Sequence, residues 1–431
     1  MNDDCLALDA TDAAAAIRRG DLTSEALVSA CLARIDADER DVGAWQFLAR
    51  EQALAQAREA DRGGNRGPLH GVPIAVKDLF DTFDMPTTLG SPIYANRQPP
   101  WDAACVAAAR AAGAIVLGKT VTTEFASYHP GKTRNPHDRT RTPGGSSSGS
   151  AAAVADGMAP LAFGTQTAAS VTRPAAFCGV VGYKATFGEL SLAGVRPLAH
   201  SLDTLGVFAR SVRDVALLRD VLLGATPAPL ADSASPPRLG LCRTPLWPLA
   251  EPAMRDALEA AVARLRDAGL QIDEIELPEA FGTLTDAQQT IMTYETARNY
   301  LFESTQRRDG LSASFRAICE AGLRIDRDTY LGARRRVADA LQRLPNAMRG
   351  CDALITPATR GEAPPIDGGT GDPVMSRMWT ALGTPTLALP LPRAGGTLPL
   401  AMQLIGAPHA DRRLLAVGQA IACAIISGRL A

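Results

Sequence analysis

Histidine is scarce in this chain. The five histidines, His70, His129, His137, His200 and His409, all lie outside the Gly/Ser-rich stretch Thr142 to Lys184, and no GxSxG elbow surrounds that stretch's serines. A Ser-His-Asp reading therefore has little to stand on. The eight cysteines, Cys5, Cys31, Cys105, Cys178, Cys242, Cys319, Cys351 and Cys423, show neither CxxC nor metal-ligand spacing, so no disulfide framework and no metal site is expected. Neither sign of charge is in excess. A formal net charge of −2 argues against nucleic acid or an anionic membrane surface as the main partner, and Arg334-Arg335-Arg336 reads as a solvated helix face. No uninterrupted apolar run is long enough to cross a bilayer. The opening MNDDCLALDA is acidic and lacks the apolar core of a signal peptide, so a cytoplasmic location is expected. No internal repeat stands out.

What is abundant is small residues, concentrated in TPGGSSSGSAAAVADGMAPLAFGTQTAASVTRPAAFCGVVGYK. The stretch opens with a Gly/Ser loop, Gly144 to Ser150, and continues through an Ala-rich helix into a short buried strand, Pro160 to Phe163. A second small-residue loop, Gly164 to Ser170, follows. Such loops let backbone N–H groups approach a ligand and leave hydroxyls as the reactive side chains. A serine without histidine needs another base, and a lysine kept neutral by burial can serve. Lys77 fits, because it ends the apolar run Val72-Pro73-Ile74-Ala75-Val76. The plain alternatives are a turn serine at Ser170 and a snorkelling lysine at Lys77. Gly144 and Gly149 satisfy GxxxxG, but Ser150 replaces the lysine of a phosphate-binding loop, so nucleotide binding is not expected.

With 431 residues and 46% hydrophobic content the chain can bury a large core, and its length alone suggests two or three domains. Residues 8 to 65 are helical in pattern, with a break at Gly20-Asp21 and Thr23 or Ser24 as the next cap. Val72 to Val76 reads as a strand with Lys77 and Asp78 at its mouth, 102 to 112 as a helix, and Gly113 to Leu117 as a buried strand. This alternation predicts an α/β sheet covered on both faces. Further on, 211 to 223, 251 to 268 and most of 283 to 346 read as helix. Leu239 to Cys242, Asp352 to Ile355, Thr386 to Leu389 and Leu398 to Leu404 read as strands, and a closing helix starts near Asp411. The connector 225 to 238 reads as a surface loop, and the Gly/Pro-rich segment Arg360 to Pro373 as part of the rim of the site.

GVPIAVKD around Lys77, PGGSSSGSAAAVA, GTQTAASVTRPAAFCGVVGYK, GAIVLGKTVTTEFA, TRNPHD, SLDTLGVFARSV and LPLAMQLIGAPHADRRLL together resemble the amidase signature family. An ordered set of this length is far more specific than one Gly-rich loop. The resemblance implies a single α/β/α domain over 1 to 431, with a large mixed β-sheet flanked by helices and a signature core at about 70 to 190. It also implies cofactor-free hydrolysis of linear amides by a Ser-Ser-Lys triad. Carried over by motif, Ser170 is the nucleophile, Ser146 the bridging serine after a cis peptide, and Lys77 the base. The N–H groups of Thr167, Ala168, Ala169 and Ser170 are then the oxyanion donors. Esters, anilides and carbamates are further substrate options, and the partner expected is a small amide, with a homodimer left open. Two rivals remain: the glutamine-hydrolysing subunit of an amidotransferase complex, and an idle scaffold or binding subunit.

The chain departs from the family's pattern in several places. Ala168 and Ala169 replace two glycines, which at positive φ would cost about 1 to 2 kcal/mol. Gln166 stands where many relatives carry Asp, and Ser148 where many carry Gly. Arg173 is one position from the commoner arginine, and is read as a structural salt bridge in preference to an anion contact.

Overall fold

The computed structural model describes residues 2–230, 236–393 and 396–427. Eleven strands join one sheet: β1 (Trp45–Leu48), β2 (Pro73–Lys77), β3 (Ile115–Thr120), β4 (Leu161–Gln166), β5 (Val181–Lys184), β6 (Thr204–Ala209), β7 (Arg238–Leu241), β8 (Gln271–Glu274), β9 (Ala353–Pro357), β10 (Thr386–Pro390) and β11 (Ala401–Ile405). Their spatial order is β1-β3-β2-β4-β6-β5-β10-β11-β9-β7-β8. The sheet is mixed. β2 runs parallel to β3 and β4, β7 runs parallel to β8 and β9, and the central pairs from β4 to β9 are antiparallel. One mixed sheet flanked by helices is the architecture expected from the sequence.

Side chains alternate between two apolar layers, as the two-residue strand period requires. Ile74, Val76, Leu161, Phe163, Leu205, Val207, Leu387 and Leu389 enter one core with the helices Val212–Leu222, Pro252–Asp267 and Asp411–Ser427. Ala75, Ala162, Phe208 and Ala388 face the opposite way, against Ser24–Val42, Ser148–Ala155 and Thr172–Cys178. Farther along that sheet, Leu354 and Ile405 pack on Leu344 and Trp379 from Arg327–Ala347 and Val374–Ala381. The small residues at 75, 162 and 388 let the Ala-rich helices lie close to the sheet.

Several elements differ from the sequence reading. β1 interrupts the supposedly helical first 65 residues, since Gly43 in the left-handed region ends one helix and Trp45–Leu48 then forms the sheet edge, with Gln46 and Phe47 exposed. β5, β6 and β8 are strands that the sequence pattern left unassigned. β4 runs on to Gln166, so the loop before Ser170 is only Thr167 to Ser170. Between the two candidate caps, Thr23 takes the role by accepting from the Ala26 N–H at 3.1 Å, while the Ser24 hydroxyl donates to the Gly71 carbonyl at 2.9 Å. Residues 231 to 235 of the connector lie outside the described residues. No helix among those described is long and apolar enough to cross a membrane.

Candidate active site

Lys77 is the last residue of β2 and is fully buried. The snorkelling alternative therefore falls. Its Nζ donates to Ser146 Oγ and to Thr165 Oγ1, both at 2.8 Å. Burial drives its pKa well below the ordinary lysine value, against the opposing pull of Asp203. Lys77 is one of only four lysines in the chain, and Lys119 and Lys184 are buried too. Lys119 lies 3.1 Å from Asp78 and also donates to the Phe80 carbonyl and the Thr87 hydroxyl, so its surroundings hold it as a charged group. Lys77 has two hydroxyls and no carboxylate within ion-pair distance. That environment favours a neutral amine.

The Gly/Ser loop assigns its hydroxyls to different tasks. Ser147 Oγ donates to the Thr165 carbonyl at 3.3 Å, Ser148 Oγ to the Val121 carbonyl at 3.3 Å, and Ser150 Oγ to the Phe163 carbonyl at 2.8 Å. Those serines tie the loop to β4 and to the end of β3. Ser146 alone meets the lysine, after a cis Gly145–Ser146 peptide. Gly149 has to be glycine, because a Cβ there would lie 2.2 Å from the Ala44 carbonyl oxygen.

Ser170 ends the second loop and is only 6% exposed. Its hydroxyl makes no hydrogen bond among the described residues, which removes the reading of a turn serine satisfying the backbone. It lines a narrow cleft of about 20 Å³ with Tyr128, Thr167, Ala168, Arg173, Met292 and Thr296. The Ser147 N–H reaches the Ser170 carbonyl at 3.4 Å, so the two serine loops abut.

The loop Thr167 to Ser170 is pinned by its carbonyls and side chains, and its N–H groups are left over. The Thr167 carbonyl accepts from Gln288 Nε2 at 2.8 Å, and the Ala168 carbonyl from Thr380 Oγ1 at 2.7 Å. The Thr167 hydroxyl donates to Asp203 at 2.5 Å. Burial pushes Asp203 up to about 7, against hydrogen bonds from Thr167, Ala199 and Leu198 that lower it. Gln166 closes the turn by accepting from the Val171 and Thr172 N–H groups at 2.9 and 3.0 Å. A neutral amide oxygen thus does what a carboxylate could do there. No protein acceptor among the described residues takes the N–H groups of Thr167, Ala168, Ala169 or Ser170.

Ala168 and Ala169 are not among the residues with positive φ, so the feared left-handed strain is absent. Replacing Ala169 with Gly is therefore expected to lower stability by about 1 kcal/mol, from unfolded-chain entropy and a lost buried methyl. The relative rates across an acyl-chain series should stay unchanged. A gain confined to bulky acyl groups would show that the methyl does restrict the cleft.

Arg173 corrects another expectation. It makes no salt bridge; it donates instead to the Gly371 carbonyl at 2.5 Å, the Gly145 carbonyl at 2.7 Å and Thr370 Oγ1 at 3.0 Å. Those contacts seat the Gly/Pro-rich segment against the Ser146 loop, and Pro373 lines the cleft, so the rim lies where the sequence placed it. Thr165, Gln288 and Thr380 were missed. Thr165 sits within GTQT beside the expected loop, and Asp203 within the SLDTLG motif. Gln288 and Thr380 carry no local signal.

Similarity to known proteins runs along most of the chain. The family model described as Amidase matches residues 26–415. A glutamyl-tRNA(Gln) amidotransferase subunit of Symbiobacterium thermophilum is 36% identical over 462 residues, which cover 93% of this chain and 93% of that protein. Among solved structures, one of a vestigial protein complex described as revealing the origins of an s-triazine catabolic enzyme aligns with a TM-score of 0.89. It is 30% identical and covers 98% of this chain and 100% of that one. Peptide amidase from Stenotrophomonas maltophilia aligns with a TM-score of 0.83 and 31% identity over 97% of each chain.

Proposed function

Because this chain belongs to the amidase family, we propose that it hydrolyses a linear amide through an acyl-enzyme on Ser170, with Ser146 as relay and Lys77 as base. One observation carries the reading: a fully buried lysine bonded at 2.8 Å to Ser146, beside an unbonded Ser170 hydroxyl. Ser170 Oγ turns toward Ser146 and attacks the carbonyl carbon. Its proton passes to Ser146 Oγ, whose own proton passes to Lys77 Nζ. The free N–H groups of Thr167, Ala168, Ala169 and Ser170 receive the developing oxyanion. The Lys77 proton then returns through Ser146 to the leaving amine, and water attacks the acyl-serine to release the acid. No metal or cofactor enters the scheme. An ester, anilide or carbamate differs in its leaving group and shares the acyl step.

A second reading is favoured by the relatives' name: an amidotransferase component that releases ammonia from glutamine inside a complex. The two separate on the chain purified alone. We expect it to hydrolyse members of an amide panel unaided, with acid quenching trapping an acyl adduct on the peptide that contains Ser170. Ammonia release only after other subunits are added would put the second reading in place of the first. An inert chain that a fluorophosphonate fails to label would make it a scaffold.

A further inference from the structure

Two buried guanidinium groups stand at the cleft without an acid to balance them. Arg173 lines the cleft and is only 3% exposed. Three of a guanidinium's five N–H donors are used on Gly371, Gly145 and Thr370. Its buried Nε has no partner. Arg377, also buried, donates to the Tyr128 hydroxyl at 2.7 Å and to Gln288. Tyr128 itself lines the cleft. The nearest acid that influences Arg173, Asp372, is half-exposed and is held by Arg360 at 3.5 Å. Burial and the neighbouring Arg377 both pull the Arg173 pKa down, to about 10. Two uncompensated cations this close repel one another, and an anion placed between them offsets that cost.

We propose that Arg173, Arg377 and the Tyr128 hydroxyl form an anion subsite beside Ser170, which selects a short amide carrying a single carboxylate. The proposal rests on reading Ser170 as the nucleophile. No carboxylate lines the cleft among the described residues, so nothing there balances the ammonium of a zwitterion such as glutamine. The cleft's small volume, about 20 Å³, favours a short acyl chain. Arg377 also bonds Gln288, which holds the Thr167 carbonyl at 2.8 Å. A carboxylate on Arg377 therefore bears on the loop that presents the oxyanion donors, and its loss should lower kcat as well as raise KM.

The test follows ammonia release from succinamate, its uncharged methyl ester, and glutamine. Succinamate should exceed the methyl ester in kcat/KM by about 100-fold, the range seen when a site built for a polar group meets an analogue without it. Glutamine should trail succinamate by about 10-fold or more. R377Q should collapse the preference for charge, and R377K should restore part of it. Should R377Q not fold, Y128F, which removes only the hydroxyl that Arg377 holds, should weaken the preference in the same direction. Separately, succinate titrated into the S170A protein should bind, and binding should be lost with R377Q added. Turnover with no preference for charge, or a preference for glutamine, overturns the subsite and leaves the amidase reading standing. Arg377-dependent succinate binding by a protein that hydrolyses none of these amides upholds the subsite and removes the amidase reading.

Discussion

Replacing Ser170 with Ala is expected to lower kcat/KM by about 10⁴-fold or more, with circular dichroism and melting temperature close to those of the unmodified protein. The two halves of this expectation have different sources. The kinetic half follows from the proposed acyl-enzyme, which has no other hydroxyl positioned to form it: Ser147, Ser148 and Ser150 spend theirs on backbone carbonyls. The structural half follows from what Ser170 lacks. Its hydroxyl makes no bond among the described residues, so truncation leaves no buried partner unsatisfied. Ser150→Ala is the control with the opposite signature, because it strips a donor from the Phe163 carbonyl at 2.8 Å and a partner from Thr120 at 2.7 Å. That change should cost about 1 to 3 kcal/mol of stability. Ammonia release and fluorophosphonate labelling, measured beside thermal melts, read both halves. Activity of Ser170→Ala within about tenfold of the unmodified chain would remove it as the nucleophile.

The parts of this molecule legible in its sequence are those specified locally. The helix start at Thr23 was readable because a cap needs only its own turn, and the buried strands β2 and β3 because every residue in each is apolar or flanks an apolar run. β1 was not. It is four residues long, half-exposed, and stabilised by pairing with β3 across the sheet edge, an interaction that no local pattern encodes. The site divides the same way. Lys77, Ser146 and Ser170 sit in motifs dense with small residues, and the chain's paucity of lysine narrows the choice of base. The residues that hold the oxyanion loop come from far away in sequence. Gln288 lies on the helix Leu284–Asn299 and Thr380 on Val374–Ala381, and only the packing of those helices over the loop brings them there. Arg173 was misread for a related reason: a buried arginine without an acid runs against the usual expectation of pairing, and the carbonyls that hold it become neighbours only in the folded chain.

Replacing Lys77 with Met should lower kcat/KM by about 10⁴-fold and, in the same protein, remove one proton's worth of pH dependence from folding stability. Burial holds the Lys77 pKa well below the 10.5 of an ordinary lysine, so in the window between those values the unfolded chain binds a proton that the folded chain does not. Stability rises with pH wherever the unfolded state binds more protons, here by about 1.4 kcal/mol per pH unit from this one group. That contribution is complete at 10.5 and is lost as pH falls through the window toward the folded pKa. Methionine carries no proton in either state. The stability of the unmodified protein minus that of Lys77→Met should therefore climb with this slope at alkaline pH, whatever constant offset arises from leaving Ser146 and Thr165 without their donor. Asp203, pushed up to about 7 beside the lysine, is the group whose titration would blur the comparison, so denaturant melts belong above that value. The same folded pKa should set the acid limb of the rate profile, since only the neutral amine can accept the Ser146 proton. A difference in stability that is flat with pH would mean Lys77 is charged in the folded protein, and a charged lysine cannot be the base.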